Sequence, residues 1–362
     1  MKWWLRLIAP ARALTRAPRR RTSALFGLLL GAGLAGPGQA ADQPDQLTAV
    51  QSALASKALL TDSARAGKRI VAVGAYGNIV YSDDGGEHWQ QAAQVPTQVL
   101  LTAVTFVDER NGWAAGHDSL ILRTRDGGVN WEIVYQDPVP AGDVPKPILD
   151  IRFSDPLHGV AVGAFAFMLI TVDGGEHWQV IDTADLYDLL EAAGLEPEPN
   201  FNAVAARDDG FLIAGELGTL LFYRPGTAPG NGAPDGPASP WRILPSPYRG
   251  SFFGVDVLRS GELLIYGLRG HCYRSRDGGN SWSEIPTDTT ANLYATTETE
   301  AGDLIVVGAG GTLLRLPSGG GGVERIPYGG FNGFASVQRL DDRHLLLFGD
   351  AGAQRLALPD TP

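Results

Sequence analysis

The chain has 362 residues, 44% of them hydrophobic, with 47 glycines, enough apolar material for one large core and many tight turns. Beyond the first forty residues, 40 acidic side chains face 22 basic ones, a net charge of −18. That charge repels phosphate backbones and excludes nucleic acid as a partner, and a lone cysteine, Cys272, excludes an internal disulfide.

Residues 1–40 carry seven basic side chains and no acid. The apolar run Ala24 to Leu30 follows, then Gly38-Gln39-Ala40-Ala41. This order of basic, apolar and small-residue regions is that of a secretory signal peptide, and predicts export to the periplasm as a soluble protein. The apolar run is too short to span a bilayer. Residues 41–58 are then an N-terminal segment placed to supply the outer strand of the last repeat and close a ring.

Residues 59–358 read as one repeat written seven times. Its clearest copy comprises four β-rich runs: Thr102–Phe106, Asn111–Gly116, Leu120–Thr124 and Trp131–Tyr135. The first copy begins near Leu59, with Ile70–Gly74 as its second strand. The third and fifth repeat the order at Ile151–Phe153, Gly159–Gly163, Leu169–Thr171 and Trp178–Ile181, and at Val255–Val257, Leu263–Gly267, Tyr273–Ser275 and Trp282–Ile285. Between the third and fourth, Leu186, Leu189 and Leu190 predict a short helix over residues 184–193. The fourth copy, Phe201–Leu244, is interrupted by a Pro/Gly-rich stretch at about 225–240 that predicts a disordered insertion. Leu293–Pro327 and Phe331–Leu358 complete the count. A period of about forty residues of this kind predicts an all-β, seven-bladed β-propeller.

Four copies carry the motif [Ser/Thr]-x-Asp-x-Gly-x-x-Trp between their third and fourth runs. The motif positions are Ser82, Asp84, Gly86 and Trp89; Thr124, Asp126, Gly128 and Trp131; Thr171, Asp173, Gly175 and Trp178; and Ser275, Asp277, Gly279 and Trp282. Hydroxyl and carboxylate oxygens there can accept local amide protons, and glycine permits positive φ. The tryptophan is large enough to pack between sheets. Acidic as the loop is, its spacing is not that of a calcium loop, so these residues are assigned a structural role and no metal.

These motifs are Asp-boxes, also called BNR repeats. Together with Asn111-Gly112-Trp113-Ala114-Ala115-Gly116, the copy Thr124–Trp131 resembles the Ycf48-like family of photosystem II assembly factors, over about residues 59–355. The resemblance implies a seven-bladed propeller that binds a membrane protein without catalysing a reaction. In a chain without photosynthesis, a transporter or envelope complex takes the partner's place. The family's arginine-rich patch has no residue-by-residue match here.

Catalytic constellations are weak, so no catalytic residue and no cofactor is assigned. Arg325-Ile326-Pro327 echoes a sialidase signature but aligns with Glu284-Ile285-Pro286, an outer strand. No two of the six histidines have zinc-ligand spacing. His271 and Cys272 are strand neighbours that point to opposite faces. Gly31-Ala32-Gly33-Leu34-Ala35-Gly36 fits a dinucleotide fingerprint only inside the signal segment. The alternative functions are a sialidase-like glycoside hydrolase, with an arginine cluster and a Tyr/Glu pair in the pore, or a carbohydrate-binding propeller.

In a propeller the loops after each second strand and before each first strand share one face, here termed the top. Reading the repeat in register nominates Tyr76, His117, Phe165, Glu216, Arg269 and Asp350 after second strands. Phe201, Asn202, Phe252 and Tyr294 stand at first strands, where Phe331-Asn332 also falls. These residues form the expected surface for a membrane protein or envelope complex. The protein is expected to be a monomer, peripheral to a membrane at most.

Overall fold

Strands buried on both faces need apolar side chains at successive positions, and runs such as Ile70-Val71-Ala72-Val73 and Ile305-Val306-Val307 supply them. In the computed structural model, which describes residues 47–137, 144–226 and 239–358, such runs become the second strands of antiparallel sheets. Residues 1–40, expected to form a signal peptide, and residues 227–238 of the insertion lie outside the described residues. There are seven sheets.

Blade 1 comprises β1 (Leu60–Ala66), β2 (Arg69–Gly74), β3 (Ile79–Ser82) and β4 (Gln90–Gln91). Blade 2 comprises β5 (Leu101–Phe106), β6 (Gly112–Gly116), β7 (Leu120–Thr124) and β8 (Glu132–Gln136). Blade 3 follows with β9 (Ile148–Phe153), β10 (Gly159–Gly163), β11 (Met168–Thr171) and β12 (Gln179–Val180). The helix α1 (Ala184–Ala192) leads into blade 4: β13 (Phe201–Arg207), β14 (Gly210–Gly215), β15 (Leu220–Tyr223) and β16 (Trp241–Ile243). Blade 5 contains β17 (Phe252–Val257), β18 (Leu263–Gly267), β19 (Cys272–Ser275) and β20 (Ser283–Glu284). Blade 6 contains β21 (Leu293–Glu298), β22 (Leu304–Gly308), β23 (Leu313–Leu316) and β24 (Glu324–Arg325). Blade 7 stops at three strands, β25 (Phe334–Arg339), β26 (His344–Gly349) and β27 (Gly352–Ala357).

First strands of successive blades touch one another, and β25 touches β1. They are therefore innermost, and the ring is closed. The apolar core is divided among the seams between blades. Val71, Val73 and Ile79 of blade 1 meet Leu101, Ala114 and Leu122 of blade 2 in one cluster. Equivalent clusters join every neighbouring pair, including Leu346 and Phe348 of blade 7 with Ile70 and Val80 of blade 1. Helix α1 plugs the seam of blades 3 and 4 with Leu186 and Leu190, while Leu189 stays 37% exposed. No helix among the described residues is long and apolar enough to cross a membrane.

The motif loops fold alike. Ser82 Oγ donates to Asp84 Oδ1 at 2.8 Å and accepts from the Gly86 amide at 2.8 Å. Asp84 Oδ1 also accepts from the His88 amide at 3.0 Å. The same bonds recur at Thr124 and Asp126, at Thr171 and Asp173, and at Ser275 and Asp277. These donors, led by the His88 amide, hold Asp84 down at about 2. The second glycine of each loop packs on the preceding blade. A Cβ on Gly175 would lie 2.2 Å from Trp113 Nε1, and one on Gly86 2.5 Å from Leu346. Trp131 and Trp178 are buried in the seams with blades 1 and 2 respectively.

Residues 47–58 add no strand to blade 7. Ala49 N donates to Val95 O at 2.9 Å and Gln51 Nε2 to Ala92 O at 2.8 Å, so this segment lies along blade 1. The 3-10 turn Ala55–Lys57 then packs beside β27. Ring closure instead uses face packing and polar contacts: Ser63 Oγ to Ser336 Oγ at 2.8 Å, and Gln338 Nε2 donating to Ser63 O at 3.0 Å.

Since each seam tryptophan serves two blades, Trp131→Ala is expected to cost about 3–5 kcal/mol, read as a lower urea midpoint. A loss below about 1 kcal/mol would show that the seam repacks freely.

Candidate functional site

Each second strand ends in glycine and turns tightly at the top face. In blades 1 to 6 the residue two places after that glycine takes positive φ: Tyr76 at 61°, Asp118 at 59°, Phe165 at 57°, Leu217 at 53°, Arg269 at 57° and Gly310 at 61°. A left-handed residue at a turn tip points its side chain away from the sheet, and the tips are exposed. Tyr76 is 74%, Leu217 52% and Phe165 41% accessible. Non-glycine residues there are strained, and five of these blades tolerate it.

Three expected surface residues stand as nominated: Tyr76, Phe165 and Arg269 are turn tips. His117 and Glu216 sit one place too early and are half-buried, so Asp118 and Leu217 occupy the tips instead. Burial pushes His117 below its usual range, with Asp118 opposing. Asp350 is exposed, but its Oδ2 accepts from the Gly333 amide at 2.8 Å and fastens the loop between blades 6 and 7.

The first-strand nominations belong to the interior. Phe201 and Phe252 are wholly buried, since the first residue of every inner strand fills a seam. Asn202 is 1% exposed, and its Nδ2 donates to Phe252 O on the next blade at 2.9 Å. Thr61 and Thr102, at the same strand position, donate to Leu101 O and Ile148 O at 2.6 and 2.7 Å. Asn202 is thus a fastener between blades. Tyr294 is 6% exposed, tilted against Phe253 at 5.5 Å.

Sequence reasoning missed Leu217, Val144 and Arg249. Val144 (80% exposed) precedes β9, Phe331 (92% exposed) precedes β25, and Arg249 is exposed in the linker to blade 5. The Gly218 amide donates to Gly250 O at 2.9 Å, which sets Arg249 beside the blade 4 tip. Among the described residues neither Arg249 nor Arg269 forms an ion pair, whereas Arg69, Arg123, Arg259 and Arg315 all do. The repeat register alone could have found Leu217, because it follows Gly215 as Tyr76 follows Gly74.

A second polar group lines the channel. Asp62, Asp150 and Asp256 project from the inner strands of blades 1, 3 and 5, and each is tied to the next blade. Asp62 Oδ2 accepts from Val104 N at 2.9 Å, Asp150 Oδ2 from Val204 N at 2.9 Å, and Asp256 Oδ2 from Thr296 Oγ1 at 2.7 Å. Arg152 pairs with Asp150 at 2.8 Å and is also acted on by the charges of Asp62 and Asp256. Burial raises Asp62 and Asp256 above the usual carboxylate range, with Arg152 opposing in both cases. Burial also raises Tyr266 far, and the neighbouring Asp256 adds to it. Among the described residues no group of three or more His, Cys, Asp or Glu could hold a metal ion.

No protein-family profile matches the chain. A stretch of 42 residues is 38% identical to the photosystem II assembly protein Ycf48 of Thermosynechococcus vestitus, covering 12% of each chain. The match thus spans about an eighth of that relative. Among solved structures, Ycf48 bound to a D1 peptide superposes with a TM-score of 0.62 at 17% identity, over 89% of this chain and 99% of that one. The fold is that of Ycf48. Ycf48 from Cyanidioschyzon merolae gives 0.62 at 14% identity, over 83% and 96% of the two chains. The WD40 β-propeller domain of Doa1 gives 0.60 at 11%, over 87% and 96%.

The channel group has a measurable consequence. A carboxylate raised in the folded state keeps its proton to higher pH than in the unfolded chain, where it titrates near about 3.9. Its contribution therefore favours folding as pH falls through the raised value, and is lost as pH rises through it. Asp256→Asn, which keeps an acceptor for Thr296, is expected to flatten the decline of melting temperature above the ordinary carboxylate range. An unchanged slope would show that burial does not raise Asp256 above the ordinary carboxylate range.

Proposed function

We propose that this chain is an exported, non-catalytic propeller that binds a segment of a membrane protein on its top face and assists assembly of that protein's complex. The observation that carries this reading is the collection of exposed apolar tips on one face, Tyr76, Phe165, Leu217 and Phe331. Large apolar residues gathered on one surface mark interaction sites, and the exposed Arg249 and Arg269 add charge-assisted donors beside them. The similarity to a Ycf48 structure bound to a D1 peptide supports a polypeptide as the ligand class. In a phototroph the partner is a photosystem component; in a heterotroph it is a transporter or other envelope complex.

The engagement of the channel carboxylates in bonds between blades supports a non-catalytic role. A general acid or nucleophile needs a lone pair or proton free for substrate. The four motif loops are structural Asp-boxes in this reading, and residues 1–40 direct the chain to the periplasm, where it acts as a monomer.

Affinity capture from detergent-solubilised envelope tests the site. The wild type is expected to recover a membrane protein, and Phe165→Ala combined with Leu217→Ala and Arg269→Glu to recover about tenfold less, a loss of roughly 1.4 kcal/mol, at unchanged melting temperature. Equal recovery by both would displace the site from the tips. Turnover of a sialoside or other glycoside, abolished by a channel carboxylate substitution, would overturn the non-catalytic reading.

A further inference from the structure

Six sheets have four strands and blade 7 has three. Its third strand, β27, pairs with β26 along its full length, from Gly349 opposite Gly352 to His344 opposite Ala357. Its other edge faces outward without a strand partner among the described residues. Leu356 and Leu358 are only partly buried there, on the seam between blades 6 and 7. An edge of this kind presents unpaired amides and carbonyls, a template for another strand.

The protein itself shows what such an edge takes. In blades 1, 3, 4, 5 and 6 the fourth strand follows one pattern: a bulky apolar residue, two others, then an aliphatic one. The pairs are Trp89 and Ala92, Trp178 and Ile181, Trp241 and Leu244, Trp282 and Ile285, and Val323 and Ile326. In each, the amide of the aliphatic residue donates to the carbonyl of the first third-strand residue: Ile79, Met168, Leu220, Cys272 and Leu313, at 2.8–3.0 Å. The two residues between pair with the next two positions, as Gln91 and Gln90 do with Val80 and Tyr81. By register with β26, Ala353 in blade 7 corresponds to Ile79, so its carbonyl is the vacant acceptor, and Gln354 and Arg355 are the vacant pairing positions.

We propose that β27 receives a β-strand from another polypeptide, antiparallel to it, carrying a bulky apolar residue three places before an aliphatic one. The occupant is not residues 47–58, which are held on blade 1. Nor do residues 41–46 or 359–362 contain the pattern; both are polar and include proline. Residues 1–40 contain it at Trp4 and Leu7 and at Phe26 and Leu29, so a partner strand from another polypeptide rests on the proposed export, in which that segment is removed. Added strands bind through main-chain bonds and gain selectivity from alternate side-chain pockets. Here the apolar residue would cover Leu356 and Leu358 as the motif tryptophans cover the other seams. This site is at the rim, distinct from the top-face tips, and stands or falls independently of them.

The probe is an eight-residue peptide copying residues 176–183, with a control in which the counterparts of Trp178 and Ile181 are serine. Binding to the purified protein is followed by fluorescence polarisation and by hydrogen exchange. The expected result is saturable binding, about tenfold weaker for the control, with added protection confined to Gly352–Ala357. Alternate amides of β27 point outward, so of Gln354→Pro and Arg355→Pro one spares the ladder to β26 and blocks the edge. That variant should abolish binding, while Tyr76→Ala leaves it intact. Binding lost with Tyr76→Ala, protection elsewhere, or no discrimination against the control peptide would overturn the proposal. So would β27 amides already protected without peptide, which would mean that the chain's own termini cover the edge.

Discussion

Everything in this molecule depends on burial of apolar surface between neighbouring sheets. No blade has a core of its own. Val71 and Val73 need Leu101 and Leu122 across the seam, and Phe348 needs Ile70 and Val80. Such an array gains stability from interfaces between repeats, and a closed ring leaves no terminal repeat with an uncovered face. Among the described residues ring closure uses no strand shared between the ends of the chain. It rests on the same seam packing, reinforced by the Ser63–Ser336 contact and the Gln338 side chain.

The seams also explain which polar groups are already engaged. Polar residues of the inner strands are spent on neighbouring blades: Thr61, Thr102 and Asn202 bond carbonyls of the next blade, and the channel aspartates bond its amides or a hydroxyl. The same holds for the motif loops, whose oxygens are saturated by local amides. Side chains without such duties gather at the turn tips of the top face and at the open edge of blade 7. Rigid sheets carry those positions, while the strained tips hold large side chains outward.

The repeat made the architecture readable. A tryptophan every forty or so residues, Gly-ended second strands and the short helix after blade 3 could be counted along the chain. The surface was less legible. Tyr76, Phe165 and Arg269 were found because the glycine before them sets the register, and Leu217 was missed by one residue in that register. Phe201, Phe252 and Tyr294 were misread because an aromatic at a strand start fits a rim and a core equally well. Burial decides between them, and burial depends on the neighbouring blade.

Local chemistry thus determined the strands, the turns and the motif loops, since those follow from side-chain period, glycine conformation and hydrogen bonds within eight residues. Tertiary structure alone decided the rest. The electrostatic influence of Asp62, Asp150 and Asp256 on Arg152 joins residues almost two hundred positions apart, through an arrangement that exists only when the ring closes. The edge of β27, which has no strand partner among the described residues, is likewise invisible in a linear chain, because strand pairing is a fact about space. Sequence records which side chains can pack; closure of seven sheets into a ring decides which ones remain to meet something else.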